Sequence, residues 1–511
     1  MQNNELAEIT QAIIEINPHP LNYWEITAII ESLGYTDYIV QAEFGFPNVL
    51  LLGQYIYQQL IDTEFPKNTN QPSFGWKTFS KEVYYFFEQF SHSFIYAIPW
   101  IAMFILEHSS FNRTVSVLPP DLAAPLSLAL MMSLIVSGGF IQIIARRGQV
   151  YLNLGEIELA KKTCGQFIIM GLSATIIVGF IGLLLGFYRS LFPDQYLIIA
   201  AIYYLFLSLL WMLCAIISLQ KPVWYIPLIF IISGIAFVVL TYLGINVLIG
   251  QIAALVCSLV LIIGLIAIRF EYSRNKDKDT AKMQMPRFPV LVYSLAPYFC
   301  YGLAYFSFLF ADRITAGSAI SFSSGLNFAL NLEYKTGMDL ALLNFLILIA
   351  ITEYLHYKFM HYWYRKAKEV SITNIVELSN KLYKYYLLII LIVFFIYLFL
   401  GSSIVFFIFH KYILTSKTLE IAIIGLVGYF IFTVGLLNSM VLFSLARPTL
   451  VLKAIIPGLL INLFLGYFLS HIFANYYASL GFVLGAIFFA SYSLRKVQAI
   501  LSHPDYAYYA S

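Results

Sequence analysis

Residues 165–187 read GQFIIMGLSATIIVGFIGLLLGF. The run holds no charged side chain, and as a helix rising 1.5 Å per residue it is about 35 Å long, enough to cross about 30 Å of hydrocarbon. Runs of this kind recur from Phe86 to Leu494, and their limits predict membrane helices near 86–106, 122–144, 165–187, 196–218, 223–243, 247–268, 290–311, 338–356, 383–406, 419–443, 449–470 and 474–494. The whole chain of 511 residues is 60% hydrophobic and 11% charged, against about 25% charged in a soluble domain. A bilayer is the solvent such a chain requires. The predicted fold class is an all-helical polytopic membrane protein of about twelve transmembrane helices in two six-helix halves, behind a small helical N-terminal module.

A net charge of +3 gives no reason to expect nucleic acid as a partner. The placement of the charges is more informative. With the N-terminus inside, the connections after even-numbered helices and the tail hold most of the 30 Lys and Arg residues, among them Arg146, Arg147, Arg269, Arg274, Arg365 and Lys366. The opposite connections hold few, counted as Arg113, Arg189, Arg313, Lys335, Lys411 and Lys417. That bias places both termini in the cytoplasm. The four cysteines, Cys164, Cys214, Cys257 and Cys300, are far apart and read as small buried hydrophobes. Nothing in the spacing of His, Cys, Asp and Glu suggests a metal, a cofactor or a nucleophilic centre. The opening MQNNELAEI has neither the basic region nor the apolar core of a signal peptide, so targeting is expected to fall to the first membrane helix.

Residues 1–80 are acidic, with few lysines, and read as a soluble helical module. Asn22 and Glu25 have capping-box spacing, Ile26, Ile29, Ile30 and Leu33 form an apolar stripe, and Gly34 closes the helix. Thr36 or Asp37, and then Asn48, are candidate caps for two more helices. The expected organisation continues with a first membrane half at 81–268, a charged cytoplasmic linker at 269–289, a second half at 290–494 and a cytoplasmic tail at 495–511.

The two halves echo each other. A shift of 219 residues sets Arg146 on Arg365, Arg147 on Lys366, Glu158 on Glu377 and Lys162 on Lys381; a shift of 226 sets SLQKP at 218–222 on SLARP at 444–448. Two like-oriented bundles follow, with a substrate path expected between them.

Twelve helices in two halves, with helical basic connections of about 20 residues after helices 2 and 8, resemble the multidrug/oligosaccharidyl-lipid/polysaccharide (MOP) exporter superfamily. Within it, PYFCYGLAYF at 297–306, FADR at 310–313 and YKTGMDLAL at 334–342 are similar to the seventh-helix region of PelG-like exopolysaccharide exporters. The likeness covers roughly 86–494. It implies movement of a polysaccharide or lipid-linked glycan out of the cytoplasm, and the acidic first 80 residues depart from it. The expected protein is an alternating-access exporter in a bacterial inner membrane, with membrane lipid around it and a glycan synthase complex as a candidate partner of the N-terminal module.

Ionisable groups inside membrane segments cost about 2.5–3.5 kcal/mol each on insertion scales, so each needs a reason. Asp312 and Arg313 are candidates for the substrate path, or else an interfacial pair closing helix 7; because they are the only charges from 290 to 332, a longer, bent seventh helix or a re-entrant piece is also open there. Tyr298, Tyr301, Tyr305, Phe308 and Asp312 fall at alternating spacings of three and four, one stripe of a helix that Pro289 and Pro297 are placed to bend. Its hydroxyl-tipped rings suit sugar, or ordinary packing. Glu333, Lys335 and Asp339 read as an outer vestibule or a solvated loop. Glu88, His92, Arg146 and Arg365 are inner-cavity candidates, with interfacial capping and topology as the plainer explanations; His471 and Asn462 are weaker ones. Three further classes stay open: a major-facilitator transporter, whose short Gly-rich loop between helices 2 and 3 is not supplied by ARRGQVYLNLGEIELAKK at 145–162; a membrane glycan polymerase or ligase, which would place an acid/base cluster in a large outer loop; and a non-transporting membrane subunit that recruits synthase partners through the N-terminal module.

Overall fold

The computed structural model describes residues 6, 9–13, 23–64, 76–94, 97–98, 100–101, 120–219, 225–276, 287–319, 331–369, 375–411 and 415–504. The chain divides into two compact units, Met1–Glu82 and Val83–Ser511.

In the N-terminal unit, helices α1 (Tyr23–Ser32), α2 (Asp37–Glu43) and α3 (Val49–Glu64) close around Ile26, Ile30, Val40, Leu52 and Ile56, with Ile9 and Ile13 joining the same core. Ile26, Ile29 and Ile30 of the predicted stripe are the buried face of α1, whereas Leu33 lies past its end and is exposed, and Gly34 follows at φ +94, a left-handed conformation that glycine adopts without a Cβ penalty. Asn22 lies outside the described residues. The Asn48 side chain accepts from the Leu51 amide at 2.8 Å, the expected cap, whereas Thr36 makes no capping bond and the Asp37 carboxylate instead accepts from the Val49 amide at 2.8 Å.

Helix α4 (Trp76–Phe94) precedes the membrane bundle, whose described helices are α5 (Pro120–Asn153), α6 (Ile157–Arg189), α7 (Asp194–Ile217), α8 (Tyr225–Tyr242), α9 (Val247–Lys276), α10 (Phe288–Ser318), α11 (Leu332–Glu369), α12 (Ile375–Lys411), α13 (Ser416–Ser444), α14 (Pro448–Ile472) and α15 (Ala478–Leu501). Among the described residues eleven helices are long and apolar enough to cross a membrane. The predicted helix at 86–106 falls partly on α4 and partly outside the described residues.

Several predicted boundaries need correction. Helix 7 does not stop at 311 but runs to Ser318, and helix 8 begins at Leu332 rather than 338. Glu333, Lys335 and Asp339 therefore lie on α11 and not in a loop, and Arg313 and Lys335 do not belong among loop charges. The basic connections after helices 2 and 8 are largely continuations of helix: α5 has 34 residues, and α11 and α12 have 38 and 37. The charged linker is likewise helical as far as Lys276.

Helices α5–α9 pack among themselves, as do α10–α15, and α10 joins the two sets by packing on α5. Several polar side chains within the helices are bonded locally or across a pair. Trp211 Nε1 donates to Ser133 Oγ at 3.0 Å between α7 and α5, and Ser258 donates to Ser233 at 2.8 Å between α9 and α8. In the second half Tyr386 donates to the Asn438 side-chain oxygen, whose amide donates to Ser493 Oγ at 3.0 Å, tying α12, α13 and α15. The closest backbone approach there is between α14 and α15: a Cβ on Gly481 would run into the Gly466 backbone, and one on Gly485 into the Gly458 carbonyl. Small residues at such contacts let transmembrane helices approach for dispersion and weak hydrogen bonding. Gly481→Ala is expected to destabilise the second half by about 1–3 kcal/mol, read as a lower melting temperature in detergent; an unchanged melting temperature would mean that the approach is not tight.

Candidate functional site

The α10 stripe does two things. Toward α13 it forms an aromatic ladder: Tyr298 stacks on Phe443 at 5.6 Å between centroids, Tyr301 meets the same ring edge-on at 4.6 Å, and Phe308 stacks on Phe432 at 4.8 Å. That is the packing role. Toward α5 the same helix leaves a cavity of about 300 Å³.

The cavity is bounded by Trp100, α5, α10, α11 and α13, so it lies where the two halves meet. Most of its wall is aliphatic or aromatic. Its polar points are Gln142 on α5, Ser218 after α7, Tyr301 and Tyr305 on α10, and Glu353 on α11. Among the described residues Glu353 is the one charged side chain on that wall. Three residues later on α11, His356 Nε2 lies 3.0 Å from Ser444 Oγ.

Beside the cavity α5 and α10 touch through their backbones. A Cβ on Gly302 would overlap the Gly138 carbonyl, and one on Gly139 would overlap the Phe299 ring. Just beyond, the Arg146 guanidinium sits 5.3 Å from the centroid of Tyr298, a cation–π contact from one half to the other. Ala145 and Phe443, neighbours of this contact, line the cavity.

Behind the Trp100 and Phe310 wall lies a buried ionic network. Arg313 Nη2 donates to Asp339 Oδ1 at 2.9 Å, and Nη1 donates to Tyr429 Oη at 3.0 Å and to the Leu309 carbonyl at 3.2 Å, with Asp312 Oδ1 at 3.4 Å. Tyr334 donates to Asp312 Oδ2 at 2.9 Å. Asp312 and Arg313 are 0% exposed and Asp339 2%. Charges removed from water this completely persist only when paired and hydrogen-bonded. Trp100 is the link to the cavity: it stacks on Phe310 at 5.3 Å, and the Arg313 guanidinium lies 5.7 Å from its ring centroid.

The structure thus brings Asp312, Arg313 and Asp339 together and sets Tyr301 and Tyr305 on the cavity wall. Asp312, Arg313 and Asp339 are not on that wall, and Asp312 and Arg313 do not close the helix, because α10 continues for more than a turn beyond them. Glu333 is half-buried in the first turn of α11, where its amide donates to the Asn331 side chain at 2.9 Å. Arg146 joins Tyr298, whereas Arg365 is exposed near the far end of α11. Glu88 is buried on α4; His92 lies on the same helix, and its side chain falls outside the described residues. Asn462 is buried and donates to the Phe308 carbonyl at 3.1 Å, a helix-packing role, and His471 rests on Tyr467. Tyr334, Tyr429, Trp100, Gln142 and Glu353 were not singled out from sequence, although Glu353, an acid inside a predicted membrane helix, carried the signal that could have found it.

No protein-family model matches the chain, and no curated protein matches it in sequence. Solved structures do. The eukaryotic MATE transporter AtDTX14 superposes with a TM-score of 0.56 at 13% identity over 84% of this chain and 99% of that one. The chain has the MATE transporter fold. The bent form of the Vibrio cholerae MATE transporter VcmN gives a TM-score of 0.53 at 13% identity, over 84% and 99% of the two chains. A MOP superfamily transporter from Pyrococcus furiosus gives 0.50 at 15% identity, over 82% and 96%. The MATE fold agrees with the expected all-helical membrane bundle of about twelve helices in two six-helix halves.

Proposed function

We propose that the chain is an alternating-access exporter of a glycan or lipid-linked glycan, inserted in a bacterial inner membrane with both termini in the cytoplasm. The observation that carries this reading is the cavity at the junction of the halves, beside which α5 and α10 meet at Gly138 and Gly302 and Arg146 meets Tyr298. A site between two rocking bundles is the arrangement alternating access requires. The cavity wall suits an amphipathic cargo: Tyr301 and Tyr305 offer ring faces and hydroxyls to a sugar, Gln142 and Glu353 add hydrogen-bonding groups, and the remainder is apolar. The glycan class rests on these side chains together with the PelG-like strings along α10 and α11. A synthase partner for the acidic N-terminal unit belongs to the same proposal.

Two measurements test it. Deletion of the gene is expected to remove a surface polysaccharide, and an unaltered surface would count against glycan cargo. Purified protein in liposomes is expected to move a fluorescent lipid-linked oligosaccharide, with Glu353→Gln and Tyr305→Phe each slowing it about tenfold if each removes a hydrogen bond made to cargo. Wild-type rates in both variants would take the cavity out of the pathway.

A further inference from the structure

Glu88 does not line the cavity, yet it is 4% exposed. It belongs to the part of α4 that lies in the bundle unit, residues 83–94. A carboxylate withdrawn from water to this degree needs a cation or hydrogen-bond donors beside it. Arg269 of α9 is the guanidinium on which Glu88 acts electrostatically, and it also lies 5.2 Å from the centroid of the Tyr225 ring on α8. On this side α4 is tied to the first half by charge.

The same stretch of α4 meets the second half through rings. Phe86 meets Tyr354 of α11 edge-on at 5.2 Å between centroids, and Tyr85 stacks on Tyr357 at 6.5 Å. Phe86, Phe90 and Phe94, spaced four apart along one stripe of α4, stack on one another at 5.8 and 5.0 Å. Tyr354 follows Glu353, the charged residue of the cavity wall, so the seam between α4 and α11 borders the cavity.

Halves that rock against each other cannot both keep α4. Two aromatic pairs together bias an equilibrium by about 5- to 150-fold, whereas parting a buried carboxylate from its cation biases it by about 150- to 5,000-fold. Arg269 is half-buried and keeps some access to water, but Glu88 does not, so the carboxylate sets the cost. The ring seam is the weaker of the two.

We propose that Glu88 is a positioning residue: through Arg269 it keeps α4 with the first half, so that the cavity opens along the seam between α4 and α11. The inference rests on the alternating-access reading above and does not depend on the cargo.

The test uses the full chain in nanodiscs, with the four native cysteines replaced by alanine and spin labels on noncanonical amino acids at Gln149 of α5 and Arg365 of α11. The unbridged protein is expected to give two distance populations. Joining Tyr85→Cys to Tyr357→Cys with a reducible bis-methanethiosulfonate is expected to collapse them to one, and reductant to bring the second back. Joining Glu88→Cys to Arg269→Cys is expected to leave both in place. Glu88→Gln is expected to lower the open population at least fivefold, and Glu88→Arg combined with Arg269→Glu to restore it, a recovery that a packing role for position 88 would not give. Collapse under the α4–α9 bridge overturns the proposal, as does an open population in the swapped, folded protein no higher than in Glu88→Gln; should the swapped protein fail to fold, the two bridges decide. Two populations that ignore the α4–α11 bridge overturn this proposal alone, whereas a single distance in the unbridged protein overturns it together with the alternating-access reading.

Discussion

Arg313→Ala is expected to destabilise the second half by about 3–5 kcal/mol, because it strands two carboxylates in the bundle interior. Asp312 and Asp339 are both buried, and Arg313 reaches both while also donating to Tyr429 and to the Leu309 carbonyl. Removing the guanidinium leaves acids that must bind protons or draw in water, and either change loosens the contact of α10 with α11 and α13. The measurement is thermal unfolding of the purified protein in detergent, with the recovered folded fraction as a second readout. Arg313→Lys is expected to recover only part of the loss, since an ammonium cannot reproduce the fork that spans Asp339 and Tyr429. A triple variant, Asp312→Asn, Arg313→Met and Asp339→Asn, is expected to be far more stable than Arg313→Ala alone, because it removes the charges together. If Arg313→Ala melts like the wild type while transport fails, the network belongs to the cargo path after all.

Gly302→Val is expected to displace the two halves from one another. The valine side chain has no room against the Gly138 carbonyl, and backbone, unlike a flexible side chain, cannot swing aside. Overpacking of this kind costs about 1–3 kcal/mol in the closed arrangement. Transferred to an equilibrium between two conformations, that is about a 5- to 150-fold change in their ratio. Spin labels on exposed positions of α5 and α11, at Gln149 and Arg365, are expected to report a shifted distance distribution, and liposome transport is expected to fall at least tenfold. An unchanged distribution with normal transport would show that the Gly138–Gly302 contact persists throughout the cycle and is no gate.

These two sites differ in how far the sequence revealed them. The apolar run at 165–187 lies wholly within α6, and most of the other predicted crossings fall on single helices, because spanning hydrocarbon demands continuous apolar length regardless of tertiary contacts. Asp312 and Arg313 stood out for the same reason, as charges against an apolar background. Their setting was misread. Hydropathy weighs one segment at a time, so it ends a helix at a charged pair; the bonds that let α10 continue come from Asp339, 26 residues on, and Tyr429, 116 residues on. Gly302 carried no mark at all, since its role depends on which backbone lies opposite. The stripe from Tyr298 to Phe308 was legible as a face, but its division between the α13 ladder and the cavity wall depends on how the helices pack.

The lengths of α11 and α12 have a mechanical consequence. At 38 and 37 residues these rods are about 55 Å long, nearly twice the thickness of the oil layer they cross. Their far ends act as lever arms in water. A tilt of about 10° around a pivot about 30 Å away displaces such a tip by about 5 Å, roughly one helical turn. A molecule that grips those tips from the aqueous side would hold the whole half still, and an antibody fragment raised against them would be a brake on turnover that never enters the membrane.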